Sequence, residues 1–236
     1  MMAAQAAATS PPSAAVNAQT ERITLSGAAG AIEALKDYAQ LPDGAAKAGS
    51  AIITHPHPLF AGTMNNKVVQ TLARAMVATG WDAYRFNFRG VGQSEGVYDE
   101  GRGEAQDLLQ VIEQVAPQGP LVLAGFSFGT YVISQVLAQL QASGRIEAVV
   151  LVGTAASRFA VAPIPQPLHV RSLVVHGEQD DTVPIGPVLD WAREQSLPLT
   201  VIPGGEHFFH GRQVQLKELV VRHMLAVRQM PPPAQP

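Results

Sequence analysis

Short runs of apolar residues alternate with longer amphipathic segments through most of this chain. The runs with the length and composition of β-strands are 23–26, 32–38, 51–54, 82–88, 121–124, 148–152, 172–176 and 199–202. The last six are largely apolar without a strict alternation of apolar and polar residues, which is typical of strands buried on both faces of a parallel sheet. The first two lie close together in the sequence, and we expect them to form an antiparallel pair.

Segments of helical length carry apolar residues near i, i+3 and i+4 spacing. These segments are 67–79, 104–116, 128–141, 185–195 and 213–229. Their alternation with strands predicts an α/β fold in which one mostly parallel sheet has helices on both faces. Right-handed crossovers would bring the loops after the C-terminal strand ends to one edge, where open α/β sheets bind ligands. We therefore expect the functional residues in those loops.

Composition and charge narrow the possible partners. The chain has 236 residues, 47% of them hydrophobic, and a formal net charge of −3, so it can bury a substantial core. No basic stripe suits nucleic acid or an anionic membrane. The absence of cysteine excludes disulfides and thiolate chemistry and fits a cytoplasmic location. We expect a small-molecule substrate, no nucleic-acid or membrane partner, and a monomer or homodimer.

The two ends of the chain differ in composition from the segment between them. Residues 1–20 are rich in Ala, Ser, Pro and Gln but lack the basic and apolar regions of a secretory signal, which predicts a disordered tail. The proline-rich residues 231–236 predict a disordered C-terminal end. No window approaches the roughly 18 uncharged apolar residues of a membrane helix. A single α/β domain is predicted over residues 21–230.

A serine between two glycines lies where a predicted strand meets a predicted helix. Residues 125–129 read Gly-Phe-Ser-Phe-Gly, the signature of a nucleophile elbow. Side chains at Gly125 and Gly129 would collide with the chain in such a turn, which explains the glycines. Ser127 is therefore the candidate nucleophile, and the backbone NH of Phe128 is a candidate oxyanion donor.

A serine nucleophile needs a base within hydrogen-bond reach. His207 follows the last predicted strand in a glycine-containing loop, from which its imidazole can reach back over the elbow. His210 is the alternative, but it lies beyond Phe208 and Phe209, which we expect to anchor the loop in the core. His207 is the candidate base. The remaining histidines outside the loop after residue 54 are interpreted as structural or solvated: His169, His176 and His223.

The acid that orients the base is expected after a strand and between the serine and the histidine in the chain. The loop 176–184 offers Glu178, Asp180 and Asp181 at that position. The same acids could instead form a turn and a negatively charged start to the next helix. The residues alone leave this choice open.

The second oxyanion donor is expected in the loop after the strand 51–54. Prolines have no NH, so His57, Leu59 and Phe60 remain, and we favour the NH of His57. His55 and His57 also suggest a metal pair, but no third ligand accompanies them at a recognisable spacing. We expect no metal and no cofactor, and structural hydrogen bonds from His55.

The glycine-rich segment 89–96 resembles a phosphate-binding loop only in composition. Its spacing is neither that of a dinucleotide fingerprint nor that of a P-loop. We interpret it as a structural connection in which Arg89 binds a nearby carboxylate or carbonyl groups.

Together these motifs resemble the α/β-hydrolase superfamily, and within it small bacterial hydrolases without a cap that are related to dienelactone-hydrolase-like proteins. The motifs are His-Pro-His-Pro at 55–58 with Gly-Thr-Met at 62–64, Phe-Asn-Phe-Arg-Gly-Val-Gly at 86–92, the elbow at 125–129, and His-Phe-Phe-His at 207–210. The resemblance implies a mostly parallel eight-stranded sheet and a triad of Ser127, Asp180 and His207. It implies hydrolase chemistry without a defined substrate.

Two positions depart from the family pattern. Ala61 stands where relatives often carry a second glycine, and Ser127 stands where dienelactone hydrolases use cysteine, which argues against dienelactone activity. Only about 20 residues separate the strands that end near 152 and begin near 172, too few for a large helical cap. An open, shallow site is expected.

The leading hypothesis is a serine hydrolase that cleaves small or short-acyl carboxylic esters or thioesters through an acyl-enzyme. Ser127 would attack, His207 would shuttle the proton and Asp180 would orient His207. The alternatives are a peptide or amide hydrolase with the same triad, and a non-catalytic binding protein of the same fold.

Overall fold

The computed structural model describes residues 20–42 and 44–231. Its strands are β1 (Thr20–Gly27), β2 (Gly30–Asp37), β3 (Gly49–Thr54), β4 (Trp81–Phe86), β5 (Leu121–Phe126), β6 (Ile146–Val152), β7 (Ser172–Gly177) and β8 (Leu199–Ile202). Its α-helices are α1 (Lys67–Ala78), α2 (Arg102–Val115), α3 (Phe128–Gln141), α4 (Ile185–Glu194) and α5 (Gln213–Val227). The predicted tails at 1–20 and 231–236 lie outside the described residues, apart from Thr20 and Pro231.

The described strands form one eight-stranded sheet in the order β1-β2-β4-β3-β5-β6-β7-β8. The β1–β2 and β2–β4 pairs are antiparallel, whereas the five pairs from β4 to β8 are parallel. The predicted antiparallel pair and mostly parallel sheet are therefore confirmed. Because β3 and β5 are parallel neighbours, the loop after β3, in which an oxyanion donor was predicted, and the elbow after β5 leave the same edge side by side.

Two apolar layers flank the sheet, as the largely apolar strands predicted. Along β5, Leu121 and Leu123 face a layer built with α2 and α3, to which α4 adds Trp191. Val122 and Ala124 point to the other face, where α1 and α5 pack. Burial on both faces explains why the central strands contain hardly any polar residues.

Strand β4 ends at Phe86, two residues earlier than predicted, because the next residues bind the loop after β3. The side-chain oxygen of Asn87 accepts a hydrogen bond from the NH of Met64 at 2.9 Å. The NH of Phe88 donates to His55 Nε2 at 2.9 Å. Apolar residues continue here, but they pack under a loop and do not extend the sheet.

The connection between β6 and β7 is short and fully described. A 3-10 helix over Gln166–Arg171 is its one regular element. No cap domain is therefore inserted between β6 and β7, as expected from the spacing. Elsewhere in the described ranges, every helix is too short or too polar to cross a membrane.

Candidate active site

Ser127 occupies the strained turn that the Gly-x-Ser-x-Gly sequence predicted. It joins β5 to α3 with φ 54° and ψ −120°, a conformation that is costly for any residue with a side chain. Hydrogen bonds hold the turn in place. The Ser127 NH donates to the Val152 carbonyl at 2.9 Å, and the Thr130 hydroxyl donates to the Ser127 carbonyl at 2.6 Å.

Thr54, the last residue of β3, leaves no room for a side chain at either glycine of the elbow. A Cβ at Gly125 would lie 2.7 Å from the Thr54 hydroxyl oxygen, and a Cβ at Gly129 would lie 2.6 Å from it. The turn itself also requires a glycine at 125, since a Cβ there would lie 2.9 Å from the Gly129 carbonyl carbon. The predicted collision across the turn is therefore present, and Thr54 is a further obstacle that sequence reasoning missed.

Ser127, His207 and Asp180 are brought together at the carboxyl edge of the sheet. His207 Nδ1 lies 2.7 Å from Asp180 Oδ2, and His207 Nε2 lies 3.1 Å from Ser127 Oγ. A carboxylate only accepts hydrogen bonds, so Nδ1 carries the hydrogen and Nε2 offers its lone pair to the serine hydroxyl. All three residues are buried, at 8%, 2% and 5% exposure for Ser127, His207 and Asp180.

The alternative acids and the alternative base lie elsewhere. His210 is exposed and its Nδ1 lies 2.9 Å from Glu206. Asp181 is exposed on the same turn as Asp180, and Glu178 accepts a hydrogen bond from the NH of Gly204 at 2.9 Å. None of these side chains is within hydrogen-bond distance of Ser127 or His207.

The anchoring of the His207 loop differs in part from the prediction. Phe209 is fully buried, as expected, but Phe208 is 39% exposed. The ring of Phe208 lies against Phe126 and His207, with centroids 5.9 Å and 5.0 Å apart. One phenylalanine therefore anchors the loop, and the other covers the edge of the histidine.

His176 is a residue of this site that sequence reasoning missed. Its side chain is completely buried, and its Nε2 lies 3.4 Å from Asp180 Oδ2, the oxygen that also faces His207. Burial lowers the pKa of His176, against the smaller opposing effects of the Val183 carbonyl and of Asp180. The available signal was its position at the end of a predicted strand, four residues before the acid.

The three candidate oxyanion donors in the loop after β3 differ in whether their NH groups already have a hydrogen-bond acceptor. The Leu59 NH donates to His57 Nδ1 at 3.2 Å, and the Phe60 NH donates to the His57 carbonyl at 3.1 Å. The NH groups of His57 and Phe128 donate to no carbonyl or side chain in the described part of the chain. Burial lowers the pKa of the His57 side chain.

His55 makes the structural hydrogen bonds that were expected of it. Its Nδ1 lies 2.6 Å from the Pro56 carbonyl and its Nε2 accepts from the Phe88 NH at 2.9 Å. Burial lowers the pKa of His55 to about 3, with the Pro56 carbonyl acting in the opposite direction. Both ring nitrogens are occupied, so His55 cannot join His57 as a metal ligand. Over residues 20–42 and 44–231, no group of three or more potential ligands is placed to hold a metal ion.

Two solved structures resemble the chain over most of its length. A serine hydrolase without a lid from Xanthomonas campestris is 33% identical, with a TM-score of 0.79, over 94% of this chain and 99% of that one. A serine hydrolase homologue from Coxiella burnetii is 38% identical, with a TM-score of 0.72, over 86% of this chain and 96% of that one. The chain belongs to the α/β-hydrolase superfamily.

Further matches agree with a serine hydrolase. The family model described as serine aminopeptidase, S33, matches residues 61–172. An uncharacterized protein from Rickettsia prowazekii is 29% identical over 222 residues, which is 88% of this chain and 90% of the relative. This α/β hydrolase is therefore an enzyme of the serine hydrolase class without a lid.

Aromatic side chains surround the His57 ring of the hydrolase beside the elbow. The ring centroid of His57 lies 4.9 Å from those of Phe60 and Tyr98, and 5.0 Å from that of Phe128. Phe159 from the loop after β6 lies 5.2 Å from Phe128. Phe60 is 82% exposed. The surface next to Ser127 is therefore apolar on the side of the loop after β3.

The glycine-rich connection of the hydrolase is structural, as interpreted from its spacing. Arg89 Nε and Nη2 each donate to an oxygen of Asp107 at 2.8 Å. The hydrogen bond to Asp107 raises the pKa of Arg89. This bidentate pair ties the loop after β4 to α2.

Proposed function

We propose that this hydrolase cleaves small or short-acyl carboxylic esters or thioesters through a catalytic triad of Ser127, His207 and Asp180. The observation that carries the proposal is the pair of contacts that joins the three side chains, at 2.7 Å and 3.1 Å. An acceptor-only carboxylate behind the histidine selects the tautomer that can act as a base toward the serine.

In the acylation step, Ser127 Oγ attacks the carbonyl carbon of the substrate while His207 Nε2 takes the hydroxyl proton. Asp180 stabilises the resulting imidazolium through its bond to Nδ1. The tetrahedral intermediate then collapses, and His207 returns the proton to the leaving alkoxide or thiolate. In deacylation, water attacks the acyl-enzyme with His207 again as the base, and Ser127 recovers its proton.

The NH groups of Phe128 and His57 are the proposed oxyanion donors for both intermediates. A preorganised donor of this kind must be free of other acceptors, because it cannot serve the oxyanion and a carbonyl equally well. Both amides meet this condition within residues 20–42 and 44–231, whereas the amides of Leu59 and Phe60 are already engaged. The elimination supports His57 as the second donor.

The surroundings of Ser127 favour a small, weakly polar substrate. The aromatic side chains around His57 offer apolar contact next to the proposed oxyanion donors, and no cap domain has to open before substrate enters. Ester and thioester substrates also place a lower demand on the acid step than amides, because alkoxides and thiolates leave more readily than amines. A small-molecule partner and a cytoplasmic location belong to the same proposal.

Covalent labelling tests the nucleophile. We expect intact-mass analysis after fluorophosphonate treatment to find one adduct on the wild type and none on Ser127→Ala. Ser143→Ala, which removes an exposed serine near the end of α3, is the matched control and should be labelled like the wild type. A folded wild-type protein that takes no adduct would refute the proposal.

The base and the acid can be tested with neighbouring residues as controls. We expect His207→Gln to abolish turnover of 4-nitrophenyl acetate, and Asp180→Asn to lower kcat by about 10⁴-fold through the wrong imidazole tautomer. His210→Gln and Asp181→Asn make the same chemical changes at exposed positions and should retain activity. If the two control variants lost activity instead, His210 and Asp181 would replace His207 and Asp180 as the base and the acid.

The description of the matching family model, serine aminopeptidase, favours a second candidate function, hydrolysis of peptide bonds at a free N-terminus. The same triad can cleave an amide if His207 protonates the departing amine. Amino-acid 4-nitroanilides, with and without a blocked amino group, should be compared with 4-nitrophenyl esters of the same acyl groups. Turnover of the unblocked anilides at rates comparable to the esters would favour the aminopeptidase, and turnover of the esters alone would favour the esterase.

A further inference from the structure

His176 lies at the end of β7 with its Nε2 between two oxygen acceptors. The Val183 carbonyl oxygen is 2.8 Å away and Asp180 Oδ2 is 3.4 Å away. A carbonyl and a carboxylate both accept hydrogen bonds only, so Nε2 must carry the hydrogen. The shorter contact is a normal hydrogen bond, and the longer one is an electrostatic contact with the carboxylate.

The other ring nitrogen fixes the protonation state of His176. Nδ1 is buried and has no hydrogen-bond partner in the described ranges. A hydrogen on this atom would leave a donor unpaired and a charge in the interior, both of which are costly. His176 is therefore a neutral imidazole whose single NH points at Val183 and Asp180.

The main chain of Val183 links His176 to the carboxylate of Asp180. The Val183 NH donates to Asp180 Oδ1 at 2.7 Å, and the Thr182 NH donates to the same oxygen at 3.1 Å. His176 holds the carbonyl of the residue whose NH holds the carboxylate. The turn that carries Asp180 is thereby fastened to the end of a buried strand.

We propose that His176 is a positioning residue for Asp180, which keeps the carboxylate turned toward His207. This inference rests on the proposed function. His176 acts on Asp180 Oδ1 through Val183 and on Asp180 Oδ2 through its own NH. Without it, the Val183 carbonyl loses its donor and the carboxylate is held by the two main-chain NH groups and His207 alone.

Two substitutions with side chains of similar length distinguish this positioning role from a packing role. His176→Gln places an amide nitrogen at about the reach of Nε2, whereas His176→Met fills similar space without a donor. Fluorophosphonate titration first gives the fraction of sites with a reactive Ser127, so that kcat is expressed per working site. For His176→Met we expect kcat to fall about 10- to 100-fold, the same size of loss as when a hydrogen-bond partner that orients a metal ligand is removed, with KM nearly unchanged. His176→Gln should recover most of this loss.

A second readout does not depend on turnover. The His207 Nδ1 proton, strongly deshielded by its hydrogen bond to Asp180, should broaden or move in the NMR spectrum of His176→Met and stay near its wild-type position in His176→Gln. Wild-type kcat per titrated site in the Met variant would overturn the proposal, as would equal losses in both variants. If His176→Met does not fold, His176→Asn, whose shorter amide cannot reach Val183, takes its place. A wild type that takes no label at Ser127 would instead refute the proposed function on which the inference rests.

Discussion

Acidification provides a quantitative test of the buried histidine under the oxyanion loop. His55 is completely buried, and burial lowers its pKa from 6.5 to about 3. Because Nε2 accepts from the Phe88 NH, a proton on that nitrogen would also set two NH groups against each other. The folded protein therefore holds His55 neutral under conditions in which the unfolded chain is protonated.

The sign and size of the effect follow from proton linkage. The pKa in the folded state lies below that in the unfolded state, so between these values the unfolded chain binds the extra proton and stability decreases as pH falls. The contribution of His55 to the free energy of unfolding is complete above pH ~6.5 and is lost progressively as the pH falls to ~3. For one group with these pKa values, the free energy of unfolding falls by about 2 kcal/mol at pH 5, and by about 5 kcal/mol in the limit below pH 3.

Urea unfolding at pH 7.5 and pH 5.0 measures the effect in the wild type and in His55→Gln. Glutamine can accept from the Phe88 NH but does not titrate, so the wild type should lose about 2 kcal/mol more than the variant over this interval. At pH 7.5 the variant should be less stable by about 1 to 3 kcal/mol if the Pro56 carbonyl loses its donor. Equal losses on acidification in the two proteins would refute the reasoning.

The pKa values of three other histidines are also lowered: His57, His176 and His223. They affect the pH dependence of stability equally in the wild type and in His55→Gln, so their effect cancels when the two proteins are compared. His210→Gln provides the matched control. Its side chain is 65% exposed, so its replacement should leave the pH dependence of the wild type in place.

Three further substitutions test the loops around the site by urea unfolding. Gly129→Ala places a Cβ 2.6 Å from a side-chain oxygen of β3 and should cost about 1 to 3 kcal/mol, whereas Gly186→Ala, with open space around it, should not destabilise. Ala61→Gly relieves a left-handed conformation at φ 57° and should stabilise by up to about 1 kcal/mol; a clear loss would contradict this. Asp107→Asn removes the charge of a buried carboxylate that pairs with half-buried Arg89 and should cost about 3 kcal/mol; unchanged stability would show that the pair is dispensable.

The regular elements could be predicted from the sequence because apolar patterning determines them directly. Helix α3 has the predicted bounds, since the elbow marks its start. Helix α2 begins two residues before the prediction, because Glu104 is a buried capping residue and not the first residue of the periodic pattern. Its carboxylate accepts from the NH groups of Asp99 and Gly101. A glutamate that caps cannot be told from a glutamate on an exposed face by spacing alone.

Some residues of the candidate site could be assigned from the sequence, and others could not. Ser127 and His207 stand in glycine-containing motifs that directly follow predicted strands, so their positions relative to the strands could be anticipated. Asp180 and Asp181 are adjacent residues on one turn, and only the turn geometry decides which carboxylate points inward. The choice among the NH groups of the oxyanion loop needs a full account of hydrogen bonds, which no sequence pattern contains.

Thr54 links the two parts of the site that the motifs describe separately. Its hydroxyl donates to the Gly129 carbonyl at 2.9 Å, which ties the first turn of α3 to the end of β3. The loop with the proposed donor His57 begins at the next residue, and the other proposed donor, Phe128, immediately precedes Gly129. Because Thr54 contacts the elbow and immediately precedes the loop, one short path through its side-chain hydrogen bond links the two proposed donors. The absence of side chains at 125 and 129 is the condition for that contact, so the glycines of the elbow would serve the proposed oxyanion site as well as the proposed nucleophile.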